Sequence, residues 1–379
     1  MDNTLNEIVK QAQATGSQCL YEHEVYQVLQ AFNIKVPTFV FLTKKNIITK
    51  ELLEPFIGKK IVLKIVADSF LHKSDIDGVR VLNKEDLLKN NFLLSEIDIQ
   101  IRKKIKEHLT IYQANYPLKF RVEDETLLDQ VINEDIKGYL LTEFIEFSDK
   151  EFGSELLFGC KWSREFGYCI SIGIGGVNTE HYMKMFQKNA SLLVFSPLFT
   201  SKEELEKRLS EKPFFKKLFG QFRDRKKLIE KTVLLETINN FCEIIKKFPD
   251  NFRVSEFEIN PMAISKGELV ALDGLMKFEP AVSNNRLPVY KKISHLLYPK
   301  SFAIIGVSEK ISAKQAKQFA DQLKQYANIP IELADETLSS KEAIEKLTHK
   351  SPLQRGALQH AAAAAVILQR WLDSPANLA

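Results

Sequence analysis

The chain has 379 residues, long enough for two or three domains with sizeable cores. Its 45% hydrophobic and 27% charged residues are ordinary for a globular protein, and a formal net charge of +4 is small and argues for nothing on its own; nucleic acid is not an expected partner. Cys19, Cys160, Cys169 and Cys242 stand at no zinc-knuckle or redox-pair spacing and suit free thiols in a reducing, cytoplasmic setting, Met1–Lys10 lacks the apolar region of a signal peptide, and no stretch reaches the roughly 18 apolar residues of a membrane span.

In chain order, Val25, Val28, Leu29 and Phe32 predict a helix over 21–36 with one buried face, stopped at Asn33 ahead of Pro37. Val36–Leu42 and Ile61–Val66 read as strands. Leu71–Val79 reads as a polar loop, and Lys84–Leu109 as mostly helix. Residues 110–136 give no clear pattern. Tyr139–Ile145, Ser154–Phe158 and Gly167–Gly176 read as strands, the last running into a glycine-rich turn. Lys202–Lys247 is helical around Pro213, and Phe252–Ile259 with Glu268–Leu275 alternate as a hairpin about Lys266–Gly267. After Pro299, short strands at Ser301–Val307 and Ile329–Leu333 alternate with helices at Ala313–Tyr326, Lys341–Leu347 and Ala361–Leu372. Strands and helices mix throughout, which predicts an α/β or α+β fold.

Four segments carry groups suited to phosphoryl chemistry, which needs a cation on the phosphates, hard oxygens on Mg²⁺ and backbone N–H groups near the anion. Lys64 interrupts the apolar strand IVLKIV. It either faces solvent or points at a partner, because a lone buried ammonium is costly. His72, in the loop LHKSDIDGV (71–79), is a candidate phosphoryl acceptor, with a solvated loop as the alternative. Gly173–Gly176 (GIGG) can bring backbone amides close to an anion, with Gly175 and Gly176 the candidates, although a tight turn explains the glycines as well. Glu258 and Asn260, in the strand ending EFEINP, point to one face. With Asp273, which a paired hairpin strand could bring alongside, they make a hard-oxygen set suited to Mg²⁺, with a solvent-facing edge hairpin as the alternative.

The order of a lysine in a strand, the HKSDIDGV loop, a glycine-rich turn, then EINP and a downstream aspartate resembles the ATP-grasp β module of NDP-forming acyl-CoA synthetases, from about residue 20 to 285. The family has a glycine where Asn33 stands, and Trp162–Gly167 lacks an aspartate the family carries before its Phe-Gly. The resemblance implies an ATP-grasp fold of two subdomains within 1–297. It implies an acid–thiol ligase activity (acyl-CoA + phosphate + ADP ⇌ acid + CoA + ATP), ATP/ADP and Mg²⁺ as cofactors, and a CoA-binding α subunit as partner. Lys64 would hold nucleotide phosphates, Glu143 would sit beside the adenosine, Glu155 would be a second acidic position, and Glu258, Asn260 and Asp273 would hold Mg²⁺. His72 would take a phosphoryl group from a phosphohistidine of the partner. The alternatives are a nucleotide-binding protein without turnover and, judged by the tail, a nucleic-acid-processing protein.

The remainder, 298–379, is expected to be a small partial α/β segment. Tyr298–Ser308 resembles the opening strand of the same family's CoA-binding domain. Ile329–Ser340 (IPIELADETLSS) and Ala361–Asp373 (AAAAAVILQRWLD) resemble the second half of a Holliday-junction-resolvase-like, RNase H-like nuclease that processes pre-ribosomal RNA. Such nucleases need a carboxylate cluster on metal. Glu336 matches one member, but another falls at His360, so a working nucleic-acid-processing tail is not expected.

Overall fold

The computed structural model describes residues 2–281 apart from 45, 71, 90–93, 149–150, 164–165, 177–189 and 223–225, together with 302–305, 317–322, 324, 331–334, 339–348, 362–363 and 365–370. The chain divides into two compact units, Met1–Pro288 and Val289–Ala379.

The first unit opens with helix α1 (Asp2–Ala14), the short strand β1 (Cys19–Leu20) and helix α2 (Glu22–Ala31). α2 buries Val25, Tyr26, Val28 and Leu29 on one face. It stops as the sequence suggests, and Asn33 shows how. Its φ of 56° is left-handed, its N–H bonds Gln30 O at 3.1 Å, and the Ile34 N–H bonds Leu29 O at 2.9 Å. This is a Schellman cap, in which asparagine does the work usually given to glycine.

β2 (Phe39–Leu42), β3 (Lys60–Ala67), β4 (Val79–Asn83) and β5 (Ile136–Glu143) form a four-stranded antiparallel sheet in the order β2-β5-β3-β4. Ile61, Leu63 and Ile65 of β3 share a core with Ile97, Ile101, Ile105 and Leu109, one face of the helix Leu94–Tyr112. Val66 belongs instead to the core of the second sheet. Side chains alternate along a strand, so Lys64 lies on Val66's side, away from that helix. The stretch that gave no pattern holds two single turns and the helix Glu125–Asp135.

The second sheet has seven strands: β1, β6 (Glu155–Ser163), β7 (Gly167–Ile174), β8 (Leu192–Phe195), β9 (Phe252–Ser265), β10 (Glu268–Ala271) and β11 (Leu275–Pro280). Their order is β1-β11-β9-β6-β7-β8, with β10 beside the far end of β9. The helix Lys231–Lys246 packs on it, with Phe241 stacked on Phe257 at 4.7 Å between ring centroids. The predicted hairpin is present. Lys266 and Gly267 have φ of 51° and 81°, as a type I′ turn requires. One expectation is corrected: Pro261 does not end the strand. β9 pairs with β11 up to Glu258 and with β10 from Met262. Proline therefore falls at the exchange of partners, where its missing N–H leaves no gap in that ladder.

In the second unit, β12 (Phe302–Ile305) and β13 (Ile331–Ala334) pair in parallel. The helical stretch 317–322 lies in their connection and the helix Ser339–Lys346 follows, the alternation read from the sequence.

Candidate nucleotide and phosphoryl-transfer site

Lys64 is 8% exposed. Its face of β3 is not solvated, so the outward reading is corrected. Lys64 Nζ donates to Glu22 Oε1 at 2.6 Å and to the carbonyl of Leu272, and lies 3.5 Å from Tyr26 Oη. Glu22, the first residue of α2, is 3% exposed. It accepts from Tyr26 Oη at 2.7 Å and, through its other oxygen, from Lys73 Nζ. Lys73 also donates to both oxygens of Asp273, at 2.8 and 3.0 Å. Two ammoniums and two carboxylates are thus joined in one enclosed network.

The electrostatics follow from the pairing. Burial opposes the charge on Glu22, but Lys64 and Lys73 outweigh it and hold the carboxyl below the usual carboxylate range. Burial likewise opposes the Lys73 ammonium, and Asp273 and Glu22 outweigh it and raise it. Asp273 goes the other way. Burial and the nearby charge of Glu22 push it above the ordinary range, against the pull of Lys73 and Lys64.

A second group surrounds the end of β7. The Gly176 N–H donates to Asn260 Oδ1 at 2.9 Å, and Asn260 Nδ2 donates to Glu258 Oε1 at 3.2 Å. The expected shared face of Glu258 and Asn260 is therefore present, and the glycine turn sits on it. The Gly175 N–H donates to the carbonyl of Glu155 at 2.9 Å. Gly176 has φ of +83°, and a Cβ there would overlap the Glu155 carboxylate. The glycines are thus required by close approach as well as by conformation.

The two groups meet on β9–β11. Glu258 pairs with Leu275, two residues after Asp273, and the Leu272 N–H bonds the carbonyl of Pro261 at 2.9 Å. The carboxylates of Glu258 and Asp273 and the amide oxygen of Asn260 are hard donors of the kind Mg²⁺ takes. Among the described residues no three His, Cys, Asp or Glu side chains form a metal cage by themselves.

His72 is exposed and immediately precedes the tight turn Lys73–Ile76, where its carbonyl accepts from the Asp75 N–H at 3.1 Å. Glu143 ends β5, where the chain leaves the first sheet for the second. Its Oε2 accepts from Thr38 Oγ1 at 3.2 Å. Sequence reasoning missed Glu22, Tyr26 and Lys73. The available signal was Lys64 itself: an ammonium on a buried strand demands a carboxylate, and Glu22 lies in the first turn of the helix predicted over 21–36. Glu336 and His360 of the tail lie outside the described residues.

Residues 11–110 and 121–278 match the ATP-grasp domain family, and the chain belongs to it. Within that family it is similar to the ADP-forming acetate–CoA ligases. It is 24% identical over 270 residues to the beta subunit of ADP-forming acetate–CoA ligase I of Pyrococcus furiosus, which covers 71% of this chain and 96% of that subunit. It is 24% identical over 293 residues to ADP-forming acetate–CoA ligase II of Archaeoglobus fulgidus, covering 77% of this chain but only 35% of that longer protein. The fold is shared with the dinucleotide-forming acetyl-coenzyme A synthetase 1 of Ca. Korarchaeum cryptofilum, solved in complex with coenzyme A, Ca-AMPCP and HgCl+. There the TM-score is 0.52 at 20% identity, over 72% of this chain and 99% of that one. Residues 300–374 match RuvX, a Holliday junction resolvase family. Among the described residues no helix is long and apolar enough to cross a membrane.

Proposed function

We propose that this chain is the nucleotide-binding, phosphoryl-transferring subunit of an ADP-forming acyl-CoA ligase, working with a CoA-binding α subunit in a reducing, cytoplasmic compartment. The observation that carries the reading is the convergence on β9–β11 of buried lysines, hard-oxygen ligands and the glycine turn. These are the three ingredients of phosphoryl chemistry, with Lys73 and Asp273 brought together from 200 residues apart in the chain. The near-complete span of the Pyrococcus subunit supports it.

In this reading Lys64 contacts the nucleotide phosphates, and the backbone at Gly175 and Gly176 approaches them. Glu143 lies beside the adenosine, with Glu155 as the second acidic position. Glu258, Asn260 and Asp273 would hold Mg²⁺, for which they offer hard oxygens. The chemistry the ion would supply there is neutralisation of charge on the transferring group. His72, exposed at the head of its turn, accepts the phosphoryl group from a phosphohistidine of the α subunit: one N–P bond breaks and one forms. It then passes the group to the terminal phosphate oxygen of ADP, breaking the N–P bond and forming the P–O bond of ATP.

Saturation with Mg·ADP at a hundredfold over Kd should stabilise the protein by about 2.7 kcal/mol, read as a rise in Tm; no rise removes the nucleotide site. Transfer of ³²P from a phosphorylated α subunit should be lost in His72→Ala and kept in Ser74→Ala. Equal transfer by both would exclude the histidine.

A further inference from the structure

Two lysines share the buried carboxylate of Glu22, and only Lys64 has a task so far. Lys73 bonds both oxygens of Asp273, at 2.8 and 3.0 Å, as well as Glu22. Its side chain is 13% exposed, against 36% for Asp273, so the ammonium is the more enclosed partner and the carboxylate keeps a reachable side. Mg²⁺ needs oxygens at about 2.0–2.1 Å. The ammonium bonded to both oxygens, with the Gly274 N–H on Oδ1 at 2.8 Å, fills three of the roughly four lone-pair sites of that carboxylate, so a cation seeking both oxygens competes with it. The two cations also repel strongly in so sheltered a place. One of them must give way.

The structure gives Lys73 somewhere to go. Released from Asp273 it still has Glu22, and the phosphates that arrive with the metal are strong acceptors for an ammonium. Its stem is four carbons long and flexible, whereas its backbone is fixed. The carbonyl of Lys73 accepts from the Gly78 N–H at 2.7 Å. A Cβ on Gly78 would stand 2.8 Å from that carbonyl and 2.5 Å from Ile65 Cγ2, so the turn is packed tightly under β3. The residue before Lys73 is His72. The turn therefore fixes the backbone from which both the exposed imidazole and the exchanging ammonium extend.

We propose that Lys73 is a positioning residue that occupies the carboxylate of Asp273 in the nucleotide-free protein and passes to the nucleotide phosphates when a divalent cation takes Asp273. The chain thereby carries its own cation for a metal ligand that would otherwise stand as an excess negative charge, and delivers that cation beside His72 when substrate arrives. This rests on the assignment of Asp273 as a metal ligand made above.

The test uses Mn²⁺ as the probe, titrated into the nucleotide-free full-length protein and followed by electron paramagnetic resonance. Lys73→Gln should bind Mn²⁺ at least about tenfold more tightly than wild type, because the competing charge is gone. The gain should vanish in Lys73→Gln/Asp273→Asn. Unchanged affinity in Lys73→Gln, or a gain that survives Asp273→Asn, overturns the proposal. Should Lys73→Gln not fold, the wild type decides. Under limiting acetic anhydride the labelling of Lys73, read by peptide mass spectrometry, should change on adding Mg·ADP and not on adding ADP in EDTA; labelling indifferent to Mg·ADP overturns it. If wild type gains no stability from Mg·ADP, the nucleotide reading itself fails. If it does gain stability while Lys73→Gln leaves Mn²⁺ affinity unchanged, only the lysine exchange fails.

Discussion

Glu22 holds two ammoniums on one buried carboxylate, and its loss leaves both with a partner missing. Breaking a buried ion pair from one side typically costs about 3–5 kcal/mol. Glu22→Ala should therefore lower the free energy of unfolding by about that much, measured in urea, whereas Glu268→Ala, whose pair with Lys35 is exposed, should cost less than about 1 kcal/mol. The neighbouring His23 gives a pH dependence. Its ring stacks on Phe41 at 4.0 Å, its Nδ1 is buried with no hydrogen-bond partner among the described residues, and burial lowers its pKa to about 4, against a small opposing pull from Glu22. An unfolded histidine titrates near 6.5, so the unfolded chain binds the proton first as the pH falls. The stabilisation from a neutral His23 is full above about 6.5 and is lost on descending towards 4. Unfolding curves at pH 7 and pH 5 should converge in His23→Phe relative to wild type. At this scale the sequence showed the chemistry without its pairing. Lys64 and Asp273 stood out as types in context, but Glu22 is 42 residues from Lys64, and no periodicity says which carboxylate a strand will meet.

At the scale of elements, three glycines separate close approach from conformation alone. Gly267 has φ of +81°, and a Cβ there would meet nothing within 4 Å, so Gly267→Ala should cost about 1 kcal/mol of stability and leave Mg·ADP affinity unchanged. Gly176 has a similar φ but abuts the Glu155 carboxylate. Gly176→Ala should weaken Mg·ADP binding by tenfold or more, about 1.4 kcal/mol, in isothermal titration. Gly78→Ala should displace the Lys73–Ile76 turn and reduce phosphoryl transfer more than nucleotide affinity. Strands and helices with regular patterning were legible: α2, β3, the helix Leu94–Tyr112 and the type I′ hairpin stand where their residues put them. The stretch 110–136 was not, because its two single turns are held by specific bonds such as Gln113 Nε2 to the Phe120 carbonyl at 3.0 Å, which leave no repeating apolar signature. Pro261 misled because the rule that proline ends a strand assumes a continuous ladder on both sides.

At the scale of the whole molecule, the cores of the two sheets both lie within Met1–Pro288. A chain ended at Pro288 should unfold cooperatively and show the same Mg·ADP-induced rise in Tm as the full chain; loss of that rise would tie the tail to the site. The change of resemblance near residue 297 marked a new segment in the sequence, and the compact units part a few residues earlier. The order of the seven-stranded sheet was not legible, because β9 pairs with β11 just after it and with β6 far back in the chain, and only long-range register decides among them.

The network of Glu22, Lys64, Lys73 and Asp273 also bears on how fast a ligand arrives. Two positive and two negative charges, bonded to one another, project little field beyond a few ångströms, so the site does not draw a nucleotide through solution. The rate of association with Mg·ADP in stopped-flow should then change little between low and physiological ionic strength.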